Sequence, residues 1–235
     1  MTRDTPRRIA LFDLDHTLLP LDSDYQWADF LARTGRAGDP DEARRQNEAL
    51  MERYNAGQLT AEQAAEFMLG LLARAELAEL DAWREEFMRD VISPALLPQA
   101  HELVGKHREQ GDLLAIVTAT NSYVTTPIAA ALGIPTLIAT RPEMREGRYT
   151  GRIDGIPSFQ AGKILRVNEW LASQGLALGG FEQSWFYSDS LNDLPLLEAV
   201  THPVATNPSV GLRELASVRG WPIVDLFAQQ QDAKS

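Results

Sequence analysis

The sequence predicts an α/β protein: a doubly wound parallel sheet with helices on both faces, interrupted early by a block of helices alone. Three observations predict it. Short apolar runs recur along the chain and alternate with segments of helical periodicity, as a parallel sheet with covering helices requires. From about Asp22 to Pro94 the alternation stops, with helix signatures and no convincing strand. At 235 residues, 44% of them hydrophobic and 23% charged, the chain can bury a substantial core and has the composition of a folded globular protein.

Taken in order, the first strand is "RIALFD", which begins at Arg8 and is apolar on both faces, as an interior parallel strand must be. The helical block follows. Asp39-Pro40 reads as an N-cap with proline at the first helical position, and Thr60 with Gln63 as a capping box. Gly35 and Gly57 read as helix stops. Apolar side chains fall at helical spacing: Trp27, Phe30 and Leu31; Leu50 and Tyr54; Phe67, Leu71 and Leu72; Trp83, Phe87 and Val91. Simple packing explains these aromatics. The alternation resumes with helix "PQAHELVGKHREQG", strand "LLAIVTAT", helix "YVTTPIAAALG" and strand "PTLIAT". "REGRYTGRIDG" carries strand-like residues between glycine turns and reads as a small hairpin. Helix "AGKILRVNEWLASQG", strands "SWFYSD" and "HPVAT", helix "GLRELASVRG" and strand "WPIVD" complete the pattern, and the tail "FAQQQDAKS" is expected to fray. There is no internal repeat and no low-complexity tract.

Composition excludes several classes of chemistry. With 22 Lys and Arg against 33 Asp and Glu, the formal net charge is -11, which argues against nucleic acid as a partner and makes a membrane surface unattractive. An anionic substrate would need local positive charge. There is no cysteine, so disulfides, thiolate catalysis and cysteine-ligated metals are ruled out. The four histidines, His16, His101, His107 and His202, lack metal-ligand spacing and are expected in loops or at the surface. No segment has the length of a membrane span, and the start of the chain, with Asp4, does not read as a secretory signal, so a cytoplasmic location is expected.

The polar residues that end the strand-like runs form a set. "DLDHT" places Asp13 and Asp15 one residue apart behind the first strand; Thr118 closes "LAIVT"; Lys163 lies in "AGKI" before a helix; "SDSLND" puts Asp189, Ser190, Asn192 and Asp193 behind "SWFY". In a doubly wound sheet, ligands sit at the carboxyl ends of the strands, where Asp13, Thr118 and Asp189 fall. Neighbouring carboxylates resist joint ionisation unless positive charge sits among them.

These four motifs, in this order and with the helical block after the first, resemble the haloacid dehalogenase-like superfamily, and within it the phosphoserine phosphatase-like branch, subfamily IB. The resemblance covers nearly the whole chain. It implies a Rossmann-like core of residues 1–21 plus 96–235 and a helical C1 cap of residues 22–95 able to cover the mouth of the sheet. It implies a Mg2+-dependent phosphomonoesterase of a small phosphorylated metabolite, working through an aspartyl-phosphate. Asp13 would be the nucleophile. Asp15 would protonate the leaving alcohol and then deprotonate the attacking water. Mg2+ would be held by the Asp13 carboxylate, the Asp15 carbonyl and Asp189, with Asn192 in support and Asp193 holding a metal-bound water or orienting Lys163. Thr118, the Ala119 N–H and Lys163 would bind the phosphoryl oxygens. Asp22 falls where such enzymes meet a substrate amine, and it equally suits the N-cap of the first inserted helix. Arg53, Arg84 and Arg89 are candidates for a substrate carboxylate or second phosphate. Serines flank Asp189 where many relatives have glycine, and Thr118-Ala119-Thr120 replaces a serine followed by glycines; the latter departure bears on the substrate rather than on the chemistry. Transfer to an acceptor other than water, a non-catalytic phospho-ligand sensor and a scaffold protein are the competing readings. An exposed apolar stripe on the inserted helices would support the scaffold. Oligomeric state is not legible.

Overall fold

The structure, a computed structural model, describes residues 8–56 and 58–227. Strand β1 (Arg8–Phe12) leads into helices α1 (Ser23–Arg33), α2 (Pro40–Asn55), α3 (Ala61–Leu72) and α4 (Leu77–Phe87). A π-helical turn (Met88–Ile92) joins α4 to the short α5 (Ser93–Ala95). There follow α6 (Pro98–Glu109), β2 (Leu113–Asn121), α7 (Ser122–Ala131), β3 (Thr136–Thr140), β4 (Pro142–Arg145) and β5 (Arg148–Ile153). The chain then forms α8 (Ala161–Ser173), β6 (Gln183–Ser188), α9 (Leu194–Leu197), β7 (His202–Thr206), α10 (Val210–Arg219) and β8 (Ile223–Val224). Among the described residues, no strand lies between β1 and β2, as the sequence predicts.

Six strands make one sheet in the order β3-β2-β1-β6-β7-β8, every pair parallel. The chain winds outward from β1 through β2 to β3, then returns to the opposite side of β1 and winds through β6 to β8. That reversal puts the topological switch point between β1 and β6, where a crevice opens at the strand ends. Successive β1 residues face opposite sides of the sheet. Ala10 and Phe12 pack with α1, α3, α6 and α7, whereas Ile9 and Leu11 pack with α8, α9 and α10. The cluster that contains Phe12 runs without a break into the inserted helices, taking in Trp27, Phe30, Leu72 and Phe87. Strands β4 and β5 form a separate antiparallel hairpin packed on α3, where a Cβ on Gly151 would stand 3.3 Å from the Gly70 Cα.

The local signals identified in the sequence are seen. Asp39 accepts from the Glu42 N–H, Thr60 and Gln63 close a capping box, and Gly35 turns left-handed after α1. Gly57, the side chain of Tyr54, Asp4 and the tail beyond Phe227 lie outside the described residues. Three features differ from expectation. Strand β2 continues past Thr118 to Asn121, with a shift in its pairing to β3 between Val117 and Asn121. The π-helical turn precedes Pro94, which has no N–H to donate and would crowd the preceding turn of a regular helix. His107, expected at the surface, is buried on α6. Its Nδ1 lies 2.6 Å from Asp112 and its Nε2 2.7 Å from the Tyr187 hydroxyl, partners that no spacing in the sequence reveals. His16 and His101 are exposed, and His202 is half-buried against Trp185.

Candidate active site

At the switch point the chain leaves β1 and β6 side by side. The Asp13 N–H still bonds to the Tyr187 carbonyl at 2.9 Å, so the start of the first loop is held to β6. Beyond Asp15 the backbone turns sharply: His16 takes the left-handed conformation, and Asn207 after β7 holds its carbonyl at 2.9 Å. The turn brings Thr17 back beneath the aspartates. Its hydroxyl lies 3.2 Å from Asp13 Oδ2 and 3.5 Å from Asp189 Oδ1, which places those two carboxylates together although 176 positions separate them in the sequence.

Lys163 supplies the positive charge. It sits in the first turn of α8, only 3% exposed, and its Nζ donates to Asp13 Oδ1 and Asp193 Oδ2, both at 2.7 Å. The Ser188 hydroxyl donates to the same Asp193 oxygen at 2.7 Å. Burial disfavours the ammonium, but two adjacent carboxylates outweigh it and hold Lys163 charged. Gly162 makes this placement possible: a Cβ there would stand 2.1 Å from the Pro157 carbonyl oxygen.

Asp15 is held differently. The Ser23 N–H donates to its Oδ1 at 2.8 Å and the Thr120 hydroxyl to its Oδ2 at 2.6 Å. Burial, then Asp22, push the Asp15 pKa up to about 6 against those donors. Asp13 is likewise raised to about 6, chiefly by burial, with Lys163 opposing and Asp193 adding. Burial, Asp13 and Asp193 raise Asp189 to about 8. One ammonium therefore does not balance this group of carboxyls.

The oxygens present fit a hard divalent cation. Asp13 and Asp189 bring their carboxylates together around Thr17, and Mg2+ takes such oxygens together with carbonyl, water and phosphate oxygens. Among the described residues, no group of three or more His, Cys, Asp or Glu side chains forms a metal cluster, so a metal here would depend on such mixed ligands.

A cavity of about 450 Å³ opens above these residues. Asp13, Asp15, Thr118, Ala119, Lys163, Asp189, Asn192 and Asp193, all singled out in the sequence, line it. Thr118 is buried and its oxygen accepts from the Thr120 N–H at 3.2 Å, which leaves its proton free to donate. Asn192 accepts from Gln160 at 3.3 Å. Asp22 also lines the cavity, while its Oδ1 caps α1 by accepting from the Tyr25 N–H at 2.8 Å. Arg53 is not brought in: it is exposed on α2 and does not line the cavity, whereas Leu50 and Met51 of the same helix do. Arg84 donates to the Tyr123 carbonyl and to Asp81, and Arg89 pairs with Asp90 outside the cavity.

Three residues of this site went unrecognised in the sequence reading. Thr120 donates to Asp15; Asp24 lines the cavity; Asn121 donates to Asp24 at 2.7 Å. Thr120 and Asn121 had a signal available, since polar residues beyond Thr118 at a strand's end share its position in the fold.

Comparison with known proteins gives the family and the fold. The sequence pattern of the family described as haloacid dehalogenase-like hydrolase matches residues 10–198. A histidinol-phosphatase of Neisseria meningitidis is 40% identical over 93% of this chain and 99% of its own length. A phosphoserine phosphatase of Mycobacterium tuberculosis is 33% identical over 71% of this chain, which spans only 53% of that protein. Among solved structures, a protein of unknown function from Bordetella pertussis Tohama I is 71% identical, covers 95% of this chain and 100% of its own, and superposes with a TM-score of 0.93. A substrate-bound phosphoserine phosphatase is 16% identical, with a TM-score of 0.68 over 98% of this chain and 99% of its own, and shares the fold.

Proposed function

Because the chain belongs to the haloacid dehalogenase-like hydrolase family and is a phosphatase by that kinship, we propose that it is a Mg2+-dependent phosphomonoesterase acting on a small phosphorylated metabolite through an aspartyl-phosphate. One observation carries the reading. Buried Lys163 lies 2.7 Å from both Asp13 and Asp193, at the floor of a cavity that Asp15, Thr118 and Asp189 line.

Asp13 attacks phosphorus, and the bond from phosphorus to the ester oxygen breaks. Asp15, whose pKa of about 6 lets it hold or release a proton near neutrality, gives that proton to the departing alcohol. It then takes a proton from the water that attacks the aspartyl-phosphate, which regenerates Asp13 and releases inorganic phosphate. Lys163, Thr118 and the Ala119 N–H bind the phosphoryl oxygens as charge spreads over them. Asp193 orients Lys163, and Asn192 supports the loop that carries Asp189. Asp13, Asp189 and the Asp15 carbonyl would hold Mg2+, which supplies charge neutralisation at the phosphoryl group. Residues 22–95 act as a cap over residues 1–21 and 96–235, with Asp22, Asp24, Leu50, Met51, Ala64, Ala65 and Met68 as its contribution to the cavity wall.

The relative named histidinol-phosphatase supports testing amine-bearing alcohol phosphates first. The scaffold reading loses support, because the exposed large hydrophobics among the described residues are Met144, Ile156, Leu165, Leu191, Val210 and Val218, none on the inserted helices. The test is phosphate release from a panel of amino-acid, amino-alcohol, sugar and nucleotide phosphates with Mg2+ or EDTA. Metal-dependent turnover that vanishes in Asp13→Asn is expected, and turnover equal in wild type and variant would overturn the reading.

A further inference from the structure

Away from the phosphoryl end, the cavity has a strongly biased lining. Its wall is apolar along α2 and α3, through Leu50, Met51 and Met68, and acidic where α1 begins, through Asp22 and Asp24. Among the described residues that line it, Lys163 is the one permanent positive charge, and both Asp13 and Asp193 already engage it. Arg53, Arg84 and Arg89 are occupied or directed elsewhere. A substrate carboxylate entering this cavity would face carboxylates and find no cation to receive it.

Asp24 is held ready in the wall. Asn121, the last residue of β2, donates its Nδ2 proton to Asp24 Oδ1 at 2.7 Å. The other end of that amide accepts from the Val124 N–H at 3.1 Å, which fixes which way the amide faces. The Asp24 carboxylate is thus anchored to the core by Asn121, through that amide and through the Asn121 backbone. Asp22, by contrast, has spent one oxygen on capping α1. Burial, with Asp22 and Asp15 close by, raises the Asp24 pKa well above the ordinary carboxylate range, the signature of an acidic wall without a counter-charge.

We propose that Asp24, oriented by Asn121, is the residue that selects the substrate: it receives a protonated amine, and the cavity rejects an ester that carries a carboxylate beside that amine. The substrate class is the phosphate ester of an amino alcohol, with any remaining bulk lying against Leu50, Met51 and Met68. This inference rests on the phosphatase reading for the phosphoryl end but concerns the opposite end of the ligand. Discrimination arises as much from repulsion of the wrong ligand as from attraction of the right one.

Three esters isolate the two effects: ethyl phosphate, O-phosphoethanolamine, which adds the amine, and O-phosphoserine, which adds the carboxylate. Calorimetric titration with Mg2+ into full-length Asp13→Asn protein measures recognition without turnover. O-Phosphoethanolamine is expected to bind at least about 10-fold tighter than O-phosphoserine, since like-charge juxtaposition in an enclosed site exceeds the 1.4 kcal/mol that a factor of ten requires. Adding Asp24→Asn, which keeps the shape and the bond to Asn121, is expected to bring O-phosphoethanolamine down to the affinity of ethyl phosphate, and Asp24→Glu to restore part of the difference. Tighter binding of O-phosphoserine would overturn the proposal. So would an amine preference that survives Asp24→Asn, which would leave Asp24 as a tie between α1 and β2 only. If wild type hydrolyses none of the esters, the phosphatase reading fails while the titration still decides the recognition.

Discussion

Asp15 shows how single contacts set a proton's availability. The Ser23 N–H and the Thr120 hydroxyl favour the carboxylate, burial and Asp22 favour the acid, and the balance falls at about 6. Thr120→Val removes one donor from the charged form without changing the side chain's shape. The limb of the kcat-pH profile governed by Asp15 is therefore expected to move about one unit to higher pH, the worth of a hydrogen bond to a charged group. An unmoved or acid-shifted limb would show that Thr120 does not tune this proton. The two aspartates and their threonine were plain in "DLDHT"; Thr120 was not, because its role depends on β2 running past Thr118 to bring a second hydroxyl across to the first loop.

Elements are joined at this site by close approaches that leave little slack. Helix α8 can present Lys163 only because Gly162 lets its first turn lie against the Pro157 carbonyl. Gly162→Ala places a carbon where 2.1 Å is available, so α8 must shift. Overpacking of this kind costs about 1–3 kcal/mol, and the unfolding midpoint in urea should fall together with kcat. An unchanged midpoint would mean that the loop before α8 yields freely. On the other face, His107 links α6 to β6 through Tyr187 and to the start of β2 through Asp112, which also receives Arg8 at 2.7 Å. Burial lowers the His107 pKa, so the ring is neutral in the folded protein, with Nδ1–H donating to Asp112 and Nε2 accepting from Tyr187. The unfolded chain takes up that proton below pH of about 6.5, and stability is therefore lost as pH falls through that value. The stability advantage of wild type over His107→Gln is expected to shrink between pH 8 and pH 5 in urea titrations; an advantage that grows toward acid would contradict a neutral ring.

For the whole molecule, the excess of carboxyl groups at the switch point means that the fold carries repulsion among Asp13, Asp189 and Asp193. If Mg2+ is held as proposed, by the folded state and not the unfolded one, it should raise the Tm by mass action, by an amount that grows with its concentration. Asp189→Asn removes a proposed carboxylate ligand and its repulsion together. The variant is expected to be more stable than wild type without Mg2+ and to gain less from it, as differential scanning calorimetry would register. An equal Mg2+ shift in both proteins would exclude Asp189 as a ligand. The apolar cluster shared by the sheet and the inserted helices makes a single cooperative transition the expected form of that melt.

By itself the sequence determined the alternating elements, the helical block after β1, and the aspartates, threonine and lysine at the strand and helix ends. Apolar periodicity and turn chemistry act over a few residues, and a polar residue that ends an apolar run is visible without knowing its neighbours. Only the tertiary structure decided that Lys163 bridges Asp13 and Asp193, that Arg53 stays out of the cavity lining, and that His107 is buried against Tyr187. It alone brought Asp24 to Asn121 across 97 positions. Those outcomes depend on helix rotation, strand order and the crossing of distant segments, and long-range packing sets all three. The end of the cavity that holds Asp13 and Lys163 was therefore legible early, whereas the far end, to which substrate choice is assigned by proposal, emerged only when the inserted helices were seen against the core.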